Sequence, residues 1–288
     1  MIHLKITDVQ ALPGDSAFLI DDGKTSILYD TGFAFTGQQI ADNIQKVLGD
    51  RPLDYIFLTH SHYDHALGTP YVLKAYPRAR VVASEYAQKI FLKPSARAVM
   101  RELDRKFAQQ CGMLEYEDLI DNLRVDIAVN GGDIITCGDM HFTVIALPGH
   151  TKCSVGFYLN ESKLLLGSET LGVYFGHNTC LPSYLVGFQM TLDSFQKAKA
   201  LDIDSILLPH YGLISKEEAK EFLENSEKVS RKTAEKIKEL LASDASKEAI
   251  ASYLTEILYT DTVKVSYPVD AFKLNTGIMI DLIEKELM

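Results

Sequence analysis

Thr59-His60-Ser61-His62-Tyr63-Asp64-His65 places three imidazoles and a carboxylate within a run of six consecutive positions, 60–65. Imidazole nitrogen and carboxylate oxygen are the borderline and hard donors of a divalent metal, and four of them this close cannot all serve core packing. With residues 60–63 in a loop and Asp64 opening a helix, alternate side chains can face two neighbouring metal positions. Two more histidines follow a shared pattern of apolar run, turn residues, then His: Leu147-Pro148-Gly149-His150-Thr151 and Leu207-Leu208-Pro209-His210-Tyr211-Gly212. Such turn residues leave the imidazole at the open end of a strand. One His of this kind is ordinarily structural. Three strand ends each delivering His point to a single site. Paired metals lower the pKa of a shared water toward about 7 and hold a substrate oxygen as Lewis acids. No Gly-x-Ser-x-Gly elbow competes, so the expected chemistry is metal-dependent hydrolysis.

The H-x-H-x-D-H spacing resembles the metallo-β-lactamase superfamily, and the resemblance covers roughly residues 1–215. It implies an α/β fold, a four-layer αββα sandwich with the metals at the edge of its paired sheets. It implies that His60, His62 and His150 bind one metal, and that Asp64, His65 and His210 bind the second. Asp64 would also orient the nucleophile or carry a proton to the leaving group. Asp30, in Asp30-Thr31-Gly32, matches the family's early Asp-Thr-Gly turn, which supports the site without ligating. The sequence departs from the pattern at Leu166-Gly167-Ser168-Glu169-Thr170-Leu171, where Glu169 stands at the place of the family's bridging Asp. Glu is longer by one C–C bond, about 1.5 Å, and keeps the carboxylate. Glu169 is therefore expected to ligate or bridge; the alternative is that it swings away and leaves one metal or a loose pair.

The implied cofactors are two divalent metal ions, zinc first, with iron or manganese compatible with the same donors. The implied activity is attack by a metal-bound hydroxide on a small ester, thioester, lactone or phosphoester. A metal-retaining binding or regulatory protein with weak hydrolysis, or a diiron redox protein, are the alternatives. Flavodiiron members generally carry Glu at the second His of the cluster, where this chain keeps His62.

The elements that must position these residues can be read along the chain. The first 30 residues alternate as an antiparallel meander, broken by Pro13-Gly14-Asp15 and Asp22-Gly23-Lys24. Ile40, Ile44, Val47 and Leu48 give a helix over 36–48, Tyr55–Leu58 a buried strand, and a helix (66–76) and a strand (79–83) follow. Residues 85–122 are charged and lack alternation, predicting a helical insertion. Strands are expected at 123–129, 133–136, 140–147, 154–159 and 163–167, then a helix near 190–200 and a strand at Ser205–Leu208. A long helix from 216 opens with Ser215-x-x-Glu218, read as a capping box, and C-terminal helices fill 216–288. No Pro/Gly-rich linker divides the chain, so residues 1–288 are read as one domain.

Composition bounds the rest. The chain has 288 residues, 47% hydrophobic and 24% charged, with 29 Lys and Arg against 39 Asp and Glu, a net charge of −10. That balance disfavours a nucleic-acid partner. No apolar run reaches the ~18–20 residues of a membrane span, and no signal peptide is visible at the start, so a cytoplasmic protein is expected. A small molecule is the expected partner, neither nucleic acid nor membrane is, and a homodimer is left open. Cys111, Cys137, Cys153 and Cys180 form no C-x-x-C pair. Weaker candidates are His177, Tyr63, Tyr184 and Tyr211 as pocket lining. His3 and His141 read as ordinary half-exposed strand residues without partners nearby in sequence, and Cys153 as a core-facing strand residue. Arg97, Arg101 and Arg105 form an i, i+4, i+8 stripe, read as a solvated face rather than an anion contact.

Overall fold

A computed structural model describes residues 3–288, and the chain divides into two compact units. The first runs through Ala146 and takes in Cys153–Gly167; the second comprises Leu147–Lys152 and Ser168–Met288.

The first unit opens with the expected meander, β1 (Lys5–Asp8), β2 (Phe18–Asp21) and β3 (Ser26–Tyr29), all antiparallel. Three parallel strands extend it in order: β4 (Tyr55–Phe57), β5 (Arg80–Ser84) and β6 (Ile127–Val129). Parallel neighbours need long crossovers, and helices supply them. These are α1 (Gly37–Leu48), then α2 (Tyr63–Ala66) with α3 (Thr69–Ala75), then α4 (Glu85–Phe91) with α5 (Pro94–Gln110). Ile40, Ile44 and Leu48 of α1 and Val72 of α3 share one core with Leu28, Ile56 and Val81 of the sheet. A second, antiparallel run follows: β7 (Ile134–Cys137), β8 (Met140–Ala146), β9 (Val155–Leu159) and β10 (Leu164–Leu166). Phe57 of β4 meets Phe142 of β8 and Phe157 of β9, with ring centroids 5.1 and 4.6 Å apart, so apolar packing fills the space between the two sheets. The strand expected at 123–129 starts only at Ile127, because a 3-10 turn at Ile120–Asn122 sends Leu123 into the core.

The second unit contains two hairpins and five helices among the described residues. The hairpins are β11 (Val173–Tyr174) with β12 (Cys180–Leu181), and β13 (Ser205–Leu208) with β14 (Gly212–Ser215). The helices are α6 (Phe188–Lys199), α7 (Lys216–Ala242), α8 (Lys247–Leu258), α9 (Asp261–Lys264) and α10 (Val269–Leu287). Ile237 of α7 packs with Ile250 and Leu254 of α8 and with Met279, Ile280 and Ile283 of α10. The capping box is a correction: Ser215 occupies the N-cap with no side-chain bond to the helix, and Glu218 instead accepts from the Tyr174 hydroxyl at 2.8 Å. Among the described residues, no helix is long and apolar enough to cross a membrane.

Candidate metal centre

In the first unit, β4 delivers the chain from a fully buried apolar run directly into the histidine cluster. The Thr59 carbonyl accepts from the Val155 amide at 2.9 Å, joining the end of β4 to the start of β9 where the cluster begins. His62 is the extended N-cap residue of α2, which puts Asp64 in the first turn and His65 one residue further. The rings of His60 and His62 lie 4.6 Å apart between centroids, and those of His60 and His65 4.1 Å. Asp64 Oδ2 stands 3.6 Å from His65 Nε2. All four expected donors of this unit are therefore brought together.

Asp30 organises them. It accepts from Ser16 Oγ at 3.0 Å, from the Thr59 amide at 2.9 Å and hydroxyl at 3.0 Å, and from His65 Nδ1 at 2.7 Å. With its own hydroxyl hydrogen given to Asp30, Thr59 Oγ1 accepts from His60 Nδ1 at 3.0 Å. In both histidines Nδ1 carries the proton and Nε2 presents a lone pair, which is the tautomer a metal requires. Asp30 holds a left-handed backbone, φ +54°, a conformation that costs a non-glycine residue about 1–2 kcal/mol. These bonds hold it there. The turn is backed by Gly68, where a Cβ would lie 1.9 Å from the Thr31 carbonyl oxygen.

In the second unit, Gly149 shapes the turn before His150. Its φ is +146°, a Cβ would lie 2.1 Å from Thr191 Oγ1, and its carbonyl accepts from the Leu185 and Val186 amides. His150 Nδ1 donates to Ser183 Oγ at 2.7 Å, so Nε2 again faces outward as the donor atom. Glu169 sits in a short 3-10 turn, Glu169–Leu171, and is 5% exposed. Its neighbour Thr170 donates to the Leu147 carbonyl at 2.6 Å and accepts from the His150 amide at 3.2 Å, fixing turn and carboxylate together. Glu169 Oε2 lies 2.8 Å from His150 Nε2, and Oε1 lies 3.3 Å from His210 Nε2. The longer side chain thus does not swing away; its two oxygens stand beside two imidazoles. His210 itself is left-handed, φ +64°, at the head of the β13–β14 hairpin.

The weaker candidates separate. His177 is an exposed residue with φ +48° at the tip of the β11–β12 hairpin, beside Asn178 at +59°. Tyr184 is completely buried and belongs to the core, whereas Tyr211 is 42% exposed and meets the Tyr174 ring edge-on. His141 is half-exposed, and its partner is distant in sequence: its Nδ1 lies 2.5 Å from Glu161, twenty residues away in the turn between β9 and β10. His3 is exposed and precedes β1. Cys153 is buried as expected, but it precedes β9 rather than lying on a strand, and its Sγ bonds Ser61 Oγ at 3.3 Å. The arginine stripe is paired rather than merely solvated. Arg101 and Arg105 share Asp118, and Arg97 and Arg101 share Asp121. Sequence reasoning missed Ser183, Thr59 and Ser16, since a hydroxyl that orients a ligand leaves no local pattern.

The metallo-β-lactamase superfamily model matches residues 14–210, well over half of the chain and including every donor described above. The chain belongs to the metallo-β-lactamase superfamily. Among relatives within and around this superfamily, it is 25% identical over 170 residues to the metallo-beta-lactamase fold-containing protein ST1585 of Sulfurisphaera tokodaii, covering 57% of this chain and 62% of that one. It is likewise 25% identical over 170 residues to the hydroxyacylglutathione hydrolase GloC of Haemophilus influenzae, covering 59% of this chain and 72% of that one. The match thus spans less than two thirds of the first relative's length. Among solved structures, the metallo-beta-lactamase family protein TTHA1429 of Thermus thermophilus superposes with a TM-score of 0.63 at 19% identity, over 98% of this chain and 93% of that one. That likeness bears out the αββα superfamily fold and the helical C-terminal region.

Proposed function

We propose that this superfamily member is a metal-dependent hydrolase with two divalent ions, acting on a small ester, thioester, lactone or phosphoester. The donor sets we assign are His60, His62 and His150 with Glu169, and Asp64, His65 and His210. One observation carries the reading. The two oxygens of Glu169 are divided between His150 and His210, one member of each set, so this carboxylate is placed to be shared if both sets were to hold an ion. The donors fit such ions: His60, His65 and His150 each have Nδ1 engaged by a neighbour and Nε2 as the remaining donor. Mixed imidazole and carboxylate donors suit zinc first, and iron or manganese equally in kind.

Bound there, the ions would supply Lewis acidity and a water acidified toward neutral pH. The side chains do the rest. Asp64, half-buried at the head of α2, is the carboxylate we assign to orient the attacking water and carry its proton to the leaving group. Asp30 and Ser183 hold the imidazoles whose orientation the chemistry depends on. Hydrolase activity is also in keeping with the activity for which the GloC relative is named.

The test is metal content per chain by elemental analysis, on wild type and Glu169→Ala purified without added metal. It is paired with a screen of ester, thioester, lactone and phosphoester substrates. Two ions in the wild type, fewer in the variant, and turnover that follows metal content are expected. Full metal content and full activity in Glu169→Ala would remove Glu169 from the centre.

A further inference from the structure

Five aromatic rings of the first unit form a continuous wall that begins inside the metal-ligand motif. Tyr63 is the residue between His62 and Asp64, and its ring lies 5.6 Å from that of Phe33. Phe33 in turn lies 4.8 Å from Phe107 of α5 and 5.1 Å from Phe35, which lies 6.2 Å from Tyr116. Phe33 and Phe35 are buried and form the base, while Tyr63, Phe107 and Tyr116 are only partly buried and present ring surface. Shortly after α5 the chain exposes two further apolar side chains, Met113 and Leu114, 43% and 78% exposed. Phe33 also stands three residues after Asp30, the carboxylate that orients His65, so the base of the wall as well as its Tyr63 end is tied by the backbone to the candidate centre.

The charges around this wall indicate what it would accept. The cations of α5 are already matched, Arg97, Arg101 and Arg105 by Asp118 and Asp121, and Lys106, beside Phe107, by Glu102. The charge-bearing group against the rings is a carboxyl: buried Asp104, which accepts from the Tyr116 hydroxyl and the Ala34 amide. An anionic group laid on the wall would meet no unmatched cation and a buried acid beneath it. An apolar group would remove ring surface from water at no such cost.

We propose that this wall is the acyl subsite of the centre, selecting esters, thioesters or lactones whose acyl part is an uncharged aryl or medium-length alkyl group. The inference rests on the hydrolase reading above. It narrows that reading, because acyl groups carrying a carboxylate become poor substrates.

The experiment uses the metal-loaded protein and p-nitrophenyl esters from acetate to octanoate, with mono-p-nitrophenyl succinate as the anionic counterpart of the butyrate ester. Expected is a rise in kcat/KM along the series of up to about fourfold per methylene, with succinate below butyrate. In Phe107→Ala the octanoate-to-acetate ratio should fall about tenfold, and Phe107→Leu should restore part of it. A parallel calorimetric titration with 2-decanone and 2-butanone, neutral compounds that are not hydrolysed, reads the subsite without turnover. Decanone should bind more tightly, and Phe107→Ala should abolish the difference. Hydrolysis with no chain-length dependence, equal loss on all esters in both Phe107 variants, or turnover confined to phosphoesters would overturn the subsite while leaving the hydrolase reading in place. No turnover on any substrate class would overturn the hydrolase reading, and the ketone titration would then decide the wall alone: equal binding of the two ketones overturns it.

Discussion

Asp30 and Ser183 hold Nδ1 of His65 and His150 in different ways, and the difference predicts different failures. In Asp30→Asn, the amide oxygen can still accept from the Thr59 amide, but the NH2 group then faces His65 Nδ1. His65 must become an Nδ1 acceptor with its proton on Nε2, the wrong tautomer for a ligand. We expect the affinity of the site that uses His65 to fall about 100-fold, near the upper end for a residue that orients a ligand. Chelator competition would measure it, and a tautomer change in nitrogen NMR would identify the cause. Ser183→Ala should be milder, about tenfold, because the Ser183 carbonyl oxygen also lies 3.2 Å from His150 Nδ1 and can take over. Equal losses in the two variants would mean that position, not proton placement, governs binding. The candidate donors themselves were legible in the sequence because His60 to His65 are local and the His150 and His210 turns repeat one pattern. Their orienting partners were not. Ser183 is 33 residues from His150, and Asp30 is 35 from His65, distances only the fold closes.

At the level of elements, the charge stripe on α5 acts as a clasp. Asp118 Oδ2 takes Arg101 at 2.5 Å and Arg105 at 3.1 Å, Asp121 takes Arg97 and Arg101, and Tyr71 of α3 donates to the Glu117 carbonyl. The segment after α5 is thereby tied down without regular structure of its own until the 3-10 turn. Partly exposed ion pairs contribute about 1 kcal/mol or less to overall stability. Asp118→Ala should therefore leave the denaturant midpoint nearly unchanged while hastening amide exchange across residues 113–121, as hydrogen exchange read by mass spectrometry would show. Protection unchanged in that segment would mean apolar contacts such as Tyr116 and Leu119 hold it instead. Periodicity located the long elements well, β13 at Ser205–Leu208 among them. It missed β11 and β12, which are two residues each and too short to show alternation, and β14, whose pattern is masked by the Gly212 start. The capping box failed for a related reason: Glu218 had a tertiary partner in Tyr174 that the local motif could not foresee.

For the molecule as a whole, two buried carboxyls set how stability varies with pH. Burial pushes Asp15 up to about 6 against the opposing bonds from the Ala11 and Leu12 amides and Thr36, and burial pushes Asp104 up to about 6 despite Tyr116 and Ala34. A folded state that binds these protons more tightly than the unfolded chain is favoured below the unfolded value near 4, and the advantage is lost as pH rises through about 6. Each carboxyl accounts for roughly 3 kcal/mol across that window. Urea midpoints of the wild type should decline from pH 4 to pH 6. Asp15→Asn keeps an acceptor for the two amides and should flatten the decline; an unaltered slope would assign it elsewhere. The αββα class was readable from the order of strands and helices together with the histidine motif, whereas no periodicity marks a buried acid.

The partition of the chain has one further consequence. Six residues, Leu147–Lys152, leave the first unit after β8, belong to the second, and return before β9. The polypeptide therefore changes unit three times, and no single cut yields two self-sufficient pieces. A fragment beginning at Ser168 would carry the Leu185 and Val186 amides but not the Gly149 carbonyl they bond, and Glu169 without its His150. A gene split at that point would give a C-terminal piece lacking six residues of its own unit and an N-terminal piece carrying those six without their partners. A single end-to-end fusion junction therefore cannot transfer the second unit whole.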